Sequence, residues 1–442
     1  MSGSFGKVGC NASTKQDGAA RLPAGYLRPL MADTPLSDAD ARQYERWAYP
    51  APINDLQAWL VDNWQWFDPS HAHRLFWPDR PAPAAMDILV AGCGTNQAAV
   101  LALNNPGATV VGIDVSSTSL GHQASLRDKH GLSNLELHQL PIEEARSIGR
   151  TFDLVVSTGV LHHMADPVAG LRSLAGCLKP HGVAALMLYA RYGRIGVEML
   201  QSVFRDMGLG LDEPSLHLVR DALANLPADH PLASYRAIAT DLDDDAGMMD
   251  TFMHVRERSY TVDECRDFVA SAGLAFQGLF FRALYHPPPA GPGTFFAKVA
   301  SMPPERQWSV MERINSNNGC HYFLACRPDR PRREYAVDFA AGDAPWFVPS
   351  MRHRCGLDGS QLMQPGWGIA LDDGQLALAR HVDGRRTIEE IADAAAEANG
   401  GTAGTADARM RAAVDFFRLL WTLDFVAMGL ERCPDGGERT GA

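Results

Sequence analysis

The sequence predicts an α/β protein built on a parallel sheet with helices on both faces. Three observations carry this. Between residues 86 and 190, short apolar runs alternate with helical patterns, which is the order of a parallel sheet with crossover helices. The first run, Ile88 to Ala91, breaks into Gly92-Cys93-Gly94-Thr95-Asn96, and a helical pattern opens at Gln97. A strand that ends in a glycine turn at a helix start is where such sheets hold a nucleotide-like ligand, because glycine lets the backbone approach it closely. Twenty residues after Gly94, the next apolar run ends on Asp114.

The elements follow in order. Strands are expected at 86–91, 109–114, 134–138, 152–157 and 183–189. Helices are expected at 97–104, 117–130, 142–148 and 166–178. Lys179-Pro180-His181-Gly182 reads as a helix stop and turn. From 191 to 259 the pattern becomes a helical insertion, with periodic stretches at 197–207 and 214–226 and an acidic run at 241–245. Thr261 and Glu264 then have the spacing of a capping box. A helix to about Ser271, a strand over 274–281, a helix at 304–315 and a strand at 320–326 follow, and these two strands are expected to close the sheet.

The rest of the chain divides by composition. Residues 1–38 read as a disordered tail. Residues 39–85 are an aromatic-rich helical lead-in that packs on the main domain or caps its site, with Tyr44, Tyr49, His71 and His73 as the groups that would touch a ligand. His71-x-His73 lacks carboxylate or thiolate neighbours at ligand spacing, so no metal is expected. The Pro-rich, charged stretch 327–345 reads as a linker. Residues 346–432 form a small unit: one or two strands within 367–378, a Thr387-capped helix to 398, a loop at 400–404, a helix at 408–423 and a strand near 425–428.

Composition excludes several classes. Net charge is −12, and the 46% hydrophobic and 21% charged residues describe a globular chain. An acidic chain is poorly suited to nucleic acid or anionic membranes, which reward clustered Lys and Arg. No apolar run reaches the ~18 residues of a membrane span. The first twenty residues have no apolar signal core, and the eight cysteines are scattered, so a cytoplasmic setting with reduced thiols is expected.

A carboxylate at Asp114 suits the two hydroxyls of a ribose, which fits NAD, FAD or S-adenosylmethionine. A dinucleotide fingerprint needs a third glycine for the pyrophosphate, and that slot holds Gln97. A nicotinamide-dependent reductase is thereby disfavoured. The motifs now on the page carry a family resemblance. Ile88 to Thr95, Gly112-Ile113-Asp114-Val115-Ser116, Phe152-Asp153-Leu154-Val155, Gly159 to Met164 and Leu178 to Gly182 occur in the order found in class I S-adenosylmethionine-dependent methyltransferases. The chain resembles their type 11/12 domains over about 86–190. The resemblance implies a Rossmann-like seven-stranded sheet over 86–326, whose seventh strand is antiparallel, with S-adenosylmethionine as cofactor. By position, Gly92, Cys93 and Gly94 lie beneath the methionine part, with Asn96 and Gln97 beside them among the cofactor-binding residues. Asp114 holds the ribose, Val115, Leu140 and Pro141 flank adenine, and Thr158 and Gly159 sit beside the sulfonium. Two positions depart from the family pattern. Val90 replaces an acidic residue, and Asn96 replaces a glycine in a turn that asparagine can enter in left-handed conformation.

Methyl transfer is largely positioning, and some acceptors need a general base. His162 and His163 are the candidates, against a structural role for both. Tyr189 is the third catalytic candidate, and Tyr189 or Tyr192 offers a sulfonium a cation–π face. Arg191 and Arg194 are candidates for an anionic substrate, and His254, Arg256, Arg258 and Tyr260 for a cap over it. The expected activity is methylation of a small molecule or peptide. The alternative is a non-catalytic binding or regulatory protein on a degenerate scaffold. The C-terminal unit resembles, in composition, the small winged-helix domains of peptide-modifying systems. With only Arg409, Arg411 and Arg418 on its last helix, it is read as a protein-interaction or homodimer module rather than a DNA binder.

Overall fold

The computed structural model describes residues 50–430 apart from 240, 255, 316 and 399–404. The tail at 1–38, the candidates Tyr44 and Tyr49, and the loop at 400–404 lie outside the described residues.

The organising unit is a seven-stranded sheet. Its strands are β1 (Met86–Ala91), β2 (Ala108–Asp114), β3 (Leu135–Gln139), β4 (Phe152–Thr158), β5 (Leu178–Tyr189), β6 (Ala275–Leu279) and β7 (Cys320–Cys326), in the order β3-β2-β1-β4-β5-β7-β6. The first five run parallel, and β7 runs antiparallel to both β5 and β6. β1 shows why the sheet is buried on both faces. Successive side chains point to opposite sides. Ile88 and Val90 enter one core with Leu56, Phe76 and Leu101, while Leu89 and Ala91 enter the other with Leu171, Leu174 and Phe268. The strand order reverses between β1 and β4, so their C-terminal ends open the crevice where such sheets bind ligands.

Local chemistry sets the helix limits. Ser116 caps Ser117–His130, which ends on Gly131 at φ 64°. Thr261 and Glu264 form the reciprocal capping box of Val262–Ser271. Two expectations are corrected. The helix after β4 spans only Pro167–Ala175, and Lys179 and Pro180 already belong to β5, whose pairing with β4 is interrupted after Phe152. The C-terminal stretch read as strand to 378 is a strand only over Trp367–Ala370. Asp372 and Gln375 then build a capping box for a helix, Asp373–Ala379. The capping signal outweighs the alternating pattern because it satisfies orphan backbone N–H groups. A short helix, Phe295–Ala300, went unforeseen behind the Pro/Gly-rich stretch.

Around the sheet lie three further bodies. The lead-in helices Leu56–Asp62 and Pro69–Phe76 pack on one face through Leu56, Phe67, Phe76 and Trp77. The insertion has its own core, in which Val197, Leu200 and Phe204 meet Val219, Met249 and Phe252. At the C-terminal end, helices Asp373–Ala379, Ile388–Ala398 and Ala406–Thr422 pack with an antiparallel pair, Phe347–Met351 and Val426–Leu430. A separate three-stranded sheet covers Gly356–Asp358, Gln361–Gln364 and Trp367–Ala370. The stretch 327–345 is held in place. The Arg330 side chain is fully buried, donates to Phe76 O and Gln277 Oε1, and pairs with Asp79 and Glu334. No described helix is long and apolar enough to cross a membrane.

Candidate active site

A cavity of about 590 Å³ opens at the C-terminal ends of β1, β2, β4 and β5. Its floor is the glycine loop. Gly92 (φ 71°) and Gly94 (φ 54°) are left-handed, which explains why the turn needs glycine at both. A Cβ on Gly92 would lie 2.3 Å from Val160 Cγ2. Asn96 instead has φ −148° and opens the helix Gln97–Asn104, so the left-handed role expected of it is corrected: an ordinary L-residue fits there. Val90 is fully buried in the core and does not line the cavity.

Asp114 braces this floor from β2. Its Oδ2 accepts from Gly94 N at 2.9 Å and its Oδ1 from Ser116 N at 2.9 Å. Gln123, fully buried on the next helix, donates Nε2 to the carbonyls of Cys93 (2.9 Å) and Gly94 (3.1 Å) and accepts from Ala99 N. Nothing in the sequence singled out Gln123, since a lone glutamine in a polar helix carries no periodic signal. Gln97 Nε2 reaches both Gln65 Oε1 (3.1 Å) and Thr158 Oγ1 (3.2 Å), tying β1, β4 and the lead-in together.

All eleven residues expected around a cofactor lie on the wall of this cavity. Gly92, Cys93, Gly94, Asn96 and Gln97 form the floor. Asp114 and Val115 stand beside β2, Leu140 and Pro141 after β3, and Thr158 and Gly159 after β4. The opposite wall was missed: Tyr235, Phe281, Leu284, Tyr285, Asn318 and Tyr322 come from the insertion, the turn after β6 and β7. These residues are distant in sequence and have no shared motif. From the lead-in, Pro50 and Gln65 reach the cavity, but His71 and His73 do not. His71 stacks on His353 (4.1 Å between centroids), and His73 Nε2 bonds to Arg80 O.

The catalytic candidates separate. His163 and Tyr189 line the cavity, whereas His162 lies outside its wall. The Arg194 guanidinium lies 3.7 Å above the Tyr189 ring centroid, and the His162 ring centroid is 3.9 Å away. The cation seated on the Tyr189 ring is therefore Arg194, where a sulfonium was expected. Tyr192 is off the wall. Arg194 is fully buried, bonds both Glu257 carboxylate oxygens and the Tyr235 hydroxyl, and so is no substrate anchor. Arg191 is engaged by Glu264 and Ser259 O. His254, Arg256, Arg258 and Tyr260 stand behind the wall rather than over it.

His163 Nδ1 lies 2.9 Å from the Arg256 carbonyl, so the N–H is on Nδ1 and the Nε2 lone pair is buried without a partner. Burial lowers its pKa to about 3, against the opposing effect of that hydrogen bond. His254 stacks on His163 at 3.7 Å and is held near 3 chiefly by burial. Ring nitrogens of these two and an Asp250 oxygen lie within 4.8 Å of one another. His254 Nδ1 accepts from Arg256 N, which leaves its proton on Nε2. A metal needs a deprotonated ring nitrogen, and the one on His254 is already taken by the Arg256 N–H.

Neutral burial of these rings has a thermodynamic consequence. Unfolded histidine titrates near ~6.5. His163 and His254 stay neutral to about 3 and His321 to about 4 when folded. Between those values the unfolded chain binds more protons, so stability rises with pH, is complete above ~6.5 and falls on acidification. Each ring is expected to remove about 2 kcal/mol by pH 5. Urea midpoints at pH 7.5 and 5.0 test this, and equal midpoints would contradict it.

Comparison with known proteins agrees with this geometry. Residues 89–184 match the family model of the methyltransferase domain. An uncharacterised protein of Synechococcus sp. is 28% identical over 249 residues, covering 54% of this chain and 60% of that protein. A tRNA U34 carboxymethyltransferase of Methylococcus capsulatus is 33% identical over 113 residues, covering 26% of this chain and 35% of the relative. The chain thus spans less than two thirds of either relative. The structure of PKMT2 from Rickettsia typhi in complex with AdoHcy superimposes with a TM-score of 0.59 at 15% identity, covering 83% of this chain and 76% of that one. At that identity the likeness speaks for the fold. The matched segment, set in the β3-β2-β1-β4-β5-β7-β6 sheet, is a methyltransferase domain of the class I, Rossmann-like kind.

Proposed function

We propose that the chain transfers a methyl group from S-adenosylmethionine to a small-molecule or peptide acceptor bound against the Tyr235–Phe281–Tyr285 wall. The observation that carries this is the convergence of the left-handed glycine loop, Asp114 and the ends of β3 and β4 on one cavity, with an aromatic wall facing them. The residues fit the cofactor. The Asp114 carboxylate suits ribose hydroxyls, the Leu140-Pro141 turn and Val115 offer apolar faces to adenine, and the glycines leave room for the methionine chain. The departures behind the non-catalytic alternative weigh little, because Asn96 needs no left-handed backbone and Val90 serves the core.

The cofactor, when bound, supplies an electrophilic methyl on a sulfonium sulfur. Asp114 and the glycine loop would hold it with that methyl turned toward an acceptor lone pair. His163 lines the wall with its Nδ1–H held by the Arg256 carbonyl and its Nε2 buried, so it shapes the acceptor side of the cavity rather than bonding the acceptor. A ring that protonates only near pH 3 is a weak base, so His163 is no general base and the released proton passes to solvent.

Calorimetry with S-adenosylmethionine and S-adenosylhomocysteine, together with labelled-methyl transfer into metabolite and peptide extracts, tests the reading. Binding of neither ligand would refute it. His163→Ala is expected to lower transfer roughly 10-fold, by loosening the acceptor side of the cavity, with cofactor affinity kept. The wild-type rate should show no inflection from His163 between pH 5 and 9. A rate unchanged by the substitution would remove His163 from the mechanism.

A further inference from the structure

We propose that Asp424, carried by the C-terminal unit, is a positioning residue for the acceptor wall, so that this unit is part of the active site. The inference rests on the methyl-transfer reading above.

Asp424 ends the helix Ala406–Thr422 in a Schellman turn: Phe425 N bonds to Leu420 O and Asp424 N to Trp421 O. The turn requires a left-handed residue, and Asp424 has φ 65°. Glycine is the usual solution there, because a side chain is strained in this region. The carboxylate is what glycine lacks, and here it is 5% exposed and fully used. Oδ2 accepts from the backbone N–H groups of Arg282 (2.7 Å) and Ala283 (2.9 Å). Oδ1 accepts from Arg282 Nη1 (3.2 Å) and Arg352 Nη1 (2.5 Å).

The clamped segment is the cavity wall. Phe281, Leu284 and Tyr285 flank the two clamped amides and line the cavity. The second clamp is Arg352, also from the C-terminal unit, which donates to Phe280 O and lies over the Phe280 and Phe281 rings. From the turn, the constraint continues along the same wall. The Tyr285 hydroxyl lies 2.6 Å from His321 Nδ1 and accepts from Asn318 Nδ2 at 2.8 Å. The His321 Nε2–H is taken by Tyr260 O, which leaves Nδ1 to receive the tyrosine proton. One carboxylate outside the methyltransferase sheet therefore fixes a turn whose far end fixes Asn318 on β7's approach. None of these groups touches the glycine loop or Asp114, so acceptor and cofactor binding should separate.

Asp424→Gly keeps the left-handed turn and removes only the carboxylate, and Asp424→Asn keeps one acceptor oxygen. The full chain is tested with labelled S-adenosylmethionine and serial dilutions of a metabolite and peptide extract. For Asp424→Gly the half-saturating extract concentration is expected to rise at least tenfold, and less for Asp424→Asn. S-adenosylhomocysteine affinity should stay within twofold of wild type. Hydrogen exchange of the 280–286 peptide should quicken at least tenfold. Unchanged exchange, unchanged half-saturation, or loss of S-adenosylhomocysteine affinity in parallel would each overturn the proposal. A wild-type chain that neither binds S-adenosylhomocysteine nor transfers methyl would refute the methyl-transfer reading, while the exchange measurement alone decides the clamp.

Discussion

Asp114→Ala is expected to raise the Kd for S-adenosylhomocysteine at least about 100-fold, equivalent to about 2.8 kcal/mol. The carboxylate sits at the end of β2, on the cavity wall, and a ribose would take two hydrogen bonds to a charged acceptor there. Such bonds contribute about 1.5–3 kcal/mol each. The same oxygens already hold Gly94 N and Ser116 N, so the substitution also releases the glycine loop. Loss of the loop and loss of the ribose contact act in the same direction. Asp114→Asn separates them, since its amide retains one oxygen for the loop and loses the charge. Calorimetry at matched ionic strength measures both variants, with circular dichroism as the check on folding. An alanine variant that binds as wild type would remove Asp114 from the cofactor site.

Arg194→Ala is expected to cost about 3–5 kcal/mol of stability, the effect of breaking a buried ion pair from one side. The Arg194 side chain is fully buried and that of Glu257 is 5% exposed. Without the guanidinium, Glu257 keeps only Gln201 of the side-chain partners seen around it. The loss reaches the cavity as well. Arg194 covers one face of Tyr189 and bonds the Tyr235 hydroxyl, and both tyrosines stand on the wall. A fall of about 10 °C in the melting temperature is expected. The double variant Arg194→Met, Glu257→Leu should recover much of the loss, because two apolar side chains leave no charge stranded. A single variant that loses less than about 1 kcal/mol would contradict this account.

Much of the sheet was legible in the chain, for physical reasons. β1 is a short run of Ile, Leu and Val closed by glycine, and burial on both faces makes such a run continuous rather than alternating. Caps were legible because they are local: Thr261 and Glu264 meet within one turn. The glycine loop and Asp114 were legible because a crossover of fixed length brings them together. The Pro167–Ala175 helix was overextended because an apolar stretch at a helix end, Cys177-Leu178, can as well begin a strand. The short turn-and-helix at 372–379 was misread because its residues carry both patterns.

The sheet, the cofactor-side half of the cavity and the motifs of the family resemblance are legible in the chain alone. These depend on periodicity and on spacings of a few residues. Packing of distant segments supplies the other half. It placed Tyr235, Phe281, Tyr285 and Asn318 on one wall from three separate segments. It turned Arg194 from a candidate anchor into a buried partner of Glu257, and set His162 against Tyr189 off the cavity wall while His163 lines it, itself buried. It also brought Asp424 onto the amides of residues 282 and 283, at sequence separations of 142 and 141. Contacts at that range follow from how whole bodies pack, and no local propensity encodes them.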